Sequence, residues 1–274
     1  MCGMLWEGTV TMKFEVLLAT IDQTDDSILD TMGLRSDVIV CNQTNEKTDY
    51  RVFTKNGYNV RWYDFQERGV GLNRNNALLR STADICLLSD DDVLYEEDYV
   101  KTVLEAFEKN PKADVIIFNA YSASGDKRSN AKKSLRVRVH NCGRYGAYRI
   151  AFRRMSVIKN AISFNQLFGG GCMFTAGEDV LFTKACIQKG LRVIAVPDCI
   201  LQRIDRRPST WFKGHNQKFY EDFGSGYYCN FGNLATVVTF LQLIRRRKKM
   251  LNDYPFWEAW KHARVGIKKY KNLR

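Results

Sequence analysis

No two cysteines of this chain form a C-x-x-C pair, and no cysteine–histidine cluster has the spacing of a zinc site. Structural zinc modules are therefore excluded. The eight thiols, Cys41 and Cys86 among them inside apolar runs, read as small hydrophobes in a reducing, cytoplasmic compartment. Long apolar runs are missing too: the longest candidate, Leu234 to Ile244, has 11 residues and includes Thr and Gln. That is well short of the roughly 18 needed to cross a bilayer. The start of the chain lacks the basic flank and apolar stretch of a signal peptide. Residues 1–11 read as a weakly ordered leader before the first strand. Proline is scarce, at four, while 45% of residues are hydrophobic and 12% aromatic, which excludes a disordered chain.

Acid is unevenly absent. Residues 1–126 carry 12 Lys/Arg and 22 Asp/Glu, residues 127–159 carry 11 Lys/Arg and no acid, and residues 203–274 carry 16 Lys/Arg against five acids. Two basic blocks on an acidic first half call for an anionic partner: a diphosphate, a membrane surface or nucleic acid. Nucleic acid is the weakest of the three, because no reading module accompanies the charge and the acidic half repels a polyanion.

What is present is an α/β pattern. Buried strands are expected at Phe14–Thr20, Asp37–Cys41, Tyr58–Tyr63, Asp84–Ser89, Asp114–Ala120 and Leu191–Pro197, and an edge strand near Arg136–Val139. Helices are expected at Gly69–Arg80, from Val93 to Asn110, from Gly177 to Lys189, and from Ser209 onward. Alternation of this kind predicts a mostly parallel central sheet, with residues 1–202 as a catalytic domain and 203–274 as a basic, aromatic helical extension. Phe168–Cys172, with three consecutive glycines, reads as a flexible loop.

The chemistry concentrates where strand Ile85–Leu88 runs into Asp90, Asp91 and Asp92. Side chains at the C-terminal end of a parallel strand open into the crevice above the sheet. Asp90 and Asp92 can converge on one hard cation, Mn²⁺ or Mg²⁺, that bridges phosphates. A helix cap is the alternative, but one aspartate suffices for that, and three adjacent carboxylates gain most from a cation. His215 is a further candidate metal or diphosphate ligand.

The run Leu87-Leu88-Ser89-Asp90-Asp91-Asp92 resembles the D-x-D signature of the family 2 glycosyltransferases, which have the GT-A fold, a Rossmann-type sandwich. Gly71-Leu72-Asn73-Arg74-Asn75-Asn76-Ala77-Leu78 resembles the family's G-x-x-x-A-R-N-x-A-L helix, with Asn73 for Ala. Ala19-Thr20-Ile21-Asp22 resembles its first-strand P-T-Y-N segment. Gly177-Glu178-Asp179 resembles its G-E-D segment. The resemblance covers residues 14 to 200. It implies that Asp179 is the catalytic base, with Glu178 fixing acceptor or base. It also implies donor contacts at Thr20, Asn42, Arg74, Asp90 and Asp91. A sugar hydroxyl is a poor nucleophile and needs such a base; a single displacement inverts the anomeric carbon.

The reaction expected is transfer from a nucleotide-diphosphate sugar, a UDP-sugar, to a glycan or lipid-diphosphate-linked acceptor. Surface or capsular polysaccharide assembly is its setting by resemblance. The basic C-terminal helices suit attachment to the inner face of an anionic membrane, or are a solvated charged face. The rival enzyme class, nucleotidyl transfer to sugar phosphates, calls for a glycine-rich phosphate loop, and Leu17–Asp25 has no glycine.

Overall fold

A computed structural model describes residues 12–122, 130–204, 214–251 and 254–273. The leader expected at 1–11 and the helical pattern expected over 209–213 lie outside the described residues. Among the described residues ten strands form one sheet: β1 Phe14–Ile21, β2 Val38–Gln43, β3 Asp49–Lys55, β4 Tyr58–Phe65, β5 Ile85–Asp90, β6 Val93–Tyr95, β7 Val115–Ser122, β8 Leu135–Arg136, β9 Ile150–Arg153 and β10 Val193–Arg203. Their order is β3-β4-β2-β1-β5-β9-β7-β10-β6, with β8 on β10. β4, β2, β1 and β5 are mutually parallel, as are β7 and β10; β9 runs antiparallel between β5 and β7, so β4, β2, β1, β5, β7 and β10 all point one way. The result is a mostly parallel α/β sheet.

The helices are α1 Ser27–Thr31, α2 Val70–Arg80, α3 Tyr99–Lys109, α4 Arg154–Lys159, α5 Glu178–Gln188, α6 Gln217–Phe231, α7 Ala235–Arg245, α8 Arg247–Met250 and α9 Phe256–Lys271. β1, β2 and β5 are buried on both faces, as strands between helical layers must be, and this is why they read as continuous apolar runs. Alternate residues feed two cores. Val16, Leu18, Val38, Val40 and Leu87 face α1 and α3; Leu17, Ile39, Cys86 and Leu88 face α2 and α5.

Several expected elements differ. The helix expected from Val93 begins only at Tyr99, because Val93–Tyr95 pairs antiparallel with Leu201–Arg203. The strand expected to stop at Pro197 continues to Arg203. Pro197 sits in a register shift between Ala195 and Cys199, where its missing N–H is not needed. Only Leu135–Arg136 pairs at the expected Arg136–Val139 edge strand.

The glycine segment is not a loose connection. Val70 N–H donates to Gly170 O at 2.9 Å, Gly169 N–H to Phe174 O at 2.8 Å, and Phe174 N–H to Leu167 O at 2.9 Å. Gly169 has φ 110°, and a Cβ there would strike Val70 and the Glu178 carboxylate. The glycines permit close packing under positive φ, which is a different use from flexibility.

The C-terminal helices pack around Tyr220, Leu243, Met250, Ala259 and Ala263. α6 and α9 cross in near-backbone contact: a Cβ on Gly224 would overlap Ala263 O, and one on Gly266 would overlap Glu221 O. Ser225 Oγ donates to Gly266 O at 2.9 Å across the crossing. At the far end of α9, Tyr270 packs on Phe168 and Phe174, whose segment carries the glycines. Among the described residues no helix is long and apolar enough to cross a membrane.

Candidate active site

The C-terminal ends of β1, β2 and β5 open into a cleft of about 650 Å³. Ala19 is in register with Asp90, so the β5 aspartates emerge beside the end of β1. Thr20 Oγ donates to Asp91 Oδ2 at 2.6 Å, and Asp91 is buried. Asp90 and Asp92 are less covered, and both line the cleft.

Arg74 ties the two acidic segments together. It sits on α2 with only 3% of its side chain exposed, donating from Nη2 to Asp90 Oδ1 at 2.6 Å and from Nη1 to Glu178 Oε1 at 2.8 Å. Burial opposes the guanidinium charge, but the two carboxylates outweigh it, so its pKa is raised. Its neighbours hold the helix in place: Asn73 Nδ2 donates to Cys41 O, and Asn75 both donates to Phe164 O and accepts from Phe164 N–H.

Asp179 is the second residue of α5, which Glu178 opens directly after Gly177, a glycine with φ 115°. Its Oδ1 accepts from Val180 N–H at 2.7 Å, and it lines the same cleft as Asp90 and Asp92. Desolvation first, then the Glu178 charge, lifts its carboxyl to about 7, while the Val180 amide and Arg74 pull the other way. A proton acceptor poised near neutrality is what general base work requires. Asp92 is raised as well, by burial and then by Asp90, with Arg203 opposing.

Of the remaining expected residues, Asn42 is 1% exposed, and its amide is engaged with Gln23 and Asp64. The cleft wall at that strand end is Gln43, whose Oε1 accepts from Gly69 N–H at 2.6 Å. His215 stands before α6 with its ring edge-on to Phe219, 4.8 Å between centroids, and is not among the described residues lining the cleft. Arg68, Tyr148 and Arg203, which the sequence pattern did not single out, also line it, as does Arg246 from the basic C-terminal block. Arg203 Nε lies 3.2 Å from Asp92 Oδ2. It ends a strand whose continuation past Pro197 no local pattern announced. Among the described residues no three His, Cys, Asp or Glu side chains gather to hold a metal ion by themselves.

No curated protein matches the chain. Among solved structures it is similar to S. aureus TarS 1-349 in complex with UDP-GlcNAc, at 16% identity and a TM-score of 0.60 over 96% of this chain and 90% of that one. The same S. aureus fragment in complex with UDP matches at 15% identity and 0.56, over 96% and 92%. Against the longer S. aureus TarS chain the match is 17% identical with a TM-score of 0.54, and spans 95% of this chain but 43% of that one. Identities this low speak to the fold alone. The sequence pattern described as glycosyl transferase family 2 matches residues 10–171, more than half of the chain. The chain therefore belongs to glycosyl transferase family 2 and is a glycosyltransferase with the GT-A fold.

Proposed function

We propose that this chain transfers a sugar from a nucleotide-diphosphate donor, a UDP-sugar, to a hydroxyl of a glycan or lipid-diphosphate-linked glycan, with inversion, in surface or capsular polysaccharide assembly. Residues 1–202 form the catalytic unit in this reading, and 203–274 an extension that contributes Arg203 and Arg246 to the cleft wall. The observation that carries it is Asp179, raised to about 7 in the cleft that Asp90 and Asp92 also line. Asp179 takes the acceptor hydroxyl proton as oxygen bonds to the anomeric carbon and the diphosphate departs on the opposite face. Glu178, fixed by Arg74, orients the acceptor side. Thr20 holds Asp91, and Asn42 holds the strand end beside Gln43, so that the donor meets a shaped wall. The TarS fragment's complexes with UDP-GlcNAc and UDP favour a uridine nucleotide donor.

The donor set suits Mn²⁺ or Mg²⁺. Burial and then the Asp90 charge disfavour a bare Asp92 carboxylate even with Arg203 near, and two carboxylates completed by substrate phosphates are an ordinary hard-cation arrangement. When bound, the ion would neutralise the diphosphate as it leaves. The protein's ligands in this reading are Asp90 and Asp92, with His215 a candidate that a His215→Ala metal titration decides. Peripheral attachment to an anionic inner membrane face completes the proposal.

The test is a panel of nucleotide sugars, with binding and hydrolysis measured in Mn²⁺, Mg²⁺ and EDTA for the unaltered chain, Asp90→Ala and Asp92→Ala. Donor binding should need the metal and weaken in both variants. Binding indifferent to metal and to both substitutions would end the cation reading.

A further inference from the structure

Helix α7 is apolar on two sides. It buries Ala235, Thr239 and Leu243 against α6 and α9, as a packed helix should. Its other side, begun by Leu234 just before the helix, exposes that residue by 67%, Val237 by 60%, Leu241 by 57% and Ile244 by 43%. Steps of three, four and three residues align these four within one narrow arc opposite the buried one. Water-facing positions of a helix are ordinarily polar, so a continuous stripe of this kind marks a contact surface.

The charge around the stripe identifies what it contacts. Arg245, Arg246, Arg247 and Lys248 follow directly and are exposed. No acidic residue occurs between Asp222 and Asp253. A second copy of this chain laid on the same face would bring cations to cations with no acid on the stripe to answer them. An acyl-chain boundary beneath anionic headgroups meets both needs at once. Of the aromatics in the basic C-terminal extension, Tyr254, Phe256 and Trp260 pack inward around Tyr220 and Ala259, while Trp257 on α9 is 69% exposed.

We infer that the outer face of α7, Leu234, Val237, Leu241 and Ile244 with the cations after them, is the surface by which the chain lies on an anionic lipid bilayer. The helix rests in the plane of the headgroups, apolar stripe inward. Arg246, at the end of α7, also lines the catalytic cleft, so docking brings the cleft mouth to the headgroups. This deepens the proposed function, since a lipid-diphosphate-linked acceptor reaches the cleft from that layer.

The experiment is co-sedimentation of the full chain with phosphatidylcholine vesicles, with and without phosphatidylglycerol. Val237→Glu/Leu241→Glu and Arg245→Glu/Arg247→Glu are run beside it, and all are checked by circular dichroism and donor hydrolysis. The unaltered chain should bind only the anionic vesicles. Each double variant should lose about ten-fold or more of that partition with its fold and donor hydrolysis unchanged. Partition unmoved by Val237→Glu/Leu241→Glu overturns the inference, as does equal binding to neutral vesicles. So does a lipid-free dimer that the same variant makes monomeric, which would assign the face to a second copy. Absence of donor hydrolysis in the unaltered chain bears on the catalytic reading alone, and vesicle binding still decides the role of α7.

Discussion

Replacing Arg74 with methionine keeps most of the side-chain volume and removes a charge that touches both Asp90 and Glu178. Removing one member of a buried ion pair costs about 3–5 kcal/mol, because the other is left charged without its partner. The two arms differ here. Glu178 is 13% exposed and Asp90 31%, so water screens the Asp90 arm and the Glu178 arm carries most of the loss. An effect of about 3 kcal/mol follows, a large share of a typical stability of about 5–15 kcal/mol.

The loss should also depend on pH. Arg74 is among the charges that restrain Asp179, so without it that carboxyl rises above its present value of about 7. A carboxyl raised on folding holds its proton in the folded state after the unfolded chain has released it. Stability therefore falls as pH climbs from the unfolded value near 4 through the folded one, and the variant should fall further than the parent. Urea unfolding followed by tryptophan fluorescence in EDTA, at about pH 5.5 and about pH 8.5, measures both effects. Glu178→Gln in the Arg74→Met background should recover part of the loss at the higher pH. A cost under about 1 kcal/mol, or the same cost at both pH values, would refute the assignment of Arg74 as the charge that lets these carboxylates share one cleft.

Asp179→Asn should retain donor binding and lose about 10²-fold or more of transfer rate, and kcat/KM of the unaltered enzyme should fall as pH drops below about 7; steady-state kinetics across pH checks both. Gly224→Ala and Gly266→Ala each drive a methyl into a facing carbonyl, so each should cost about 1–3 kcal/mol or more and lower Tm in a thermal scan. Thr20→Val leaves buried Asp91 without its 2.6 Å donor and should destabilise by about 1–3 kcal/mol in the same denaturant assay.

Strands β1, β2 and β5 were legible because burial on both faces writes itself as an unbroken apolar run. β3 was not, since its outermost place in the sheet leaves Asp49, Tyr50 and Val52 exposed and removes the apolar signal. β6 and β9 are only three and four residues long, and what makes them strands is a partner far away in the chain. The acidic positions of the cleft could be named from sequence, but their mutual geometry could not. Arg74 meets Glu178 across 104 residues, and a polar helix position reads as solvent-facing unless something announces otherwise. Asn73, Arg74 and Asn75 in succession are all buried, and this clustering of polar groups under apolar neighbours was the available hint.

The crossing of α6 and α9 governs more than the two helices it joins. Where peptide groups meet with no side chain between them, neither rod can roll or creep along the other without steric collision, so the pair behaves as a rivet with one permitted alignment. Everything downstream on α9 inherits that alignment, and one turn past Gly266 comes Tyr270, wedged against Phe168 and Phe174. The position of the strap that presses Gly169 against the Glu178 carboxylate is thus dictated from a point nearly a hundred residues later in the chain.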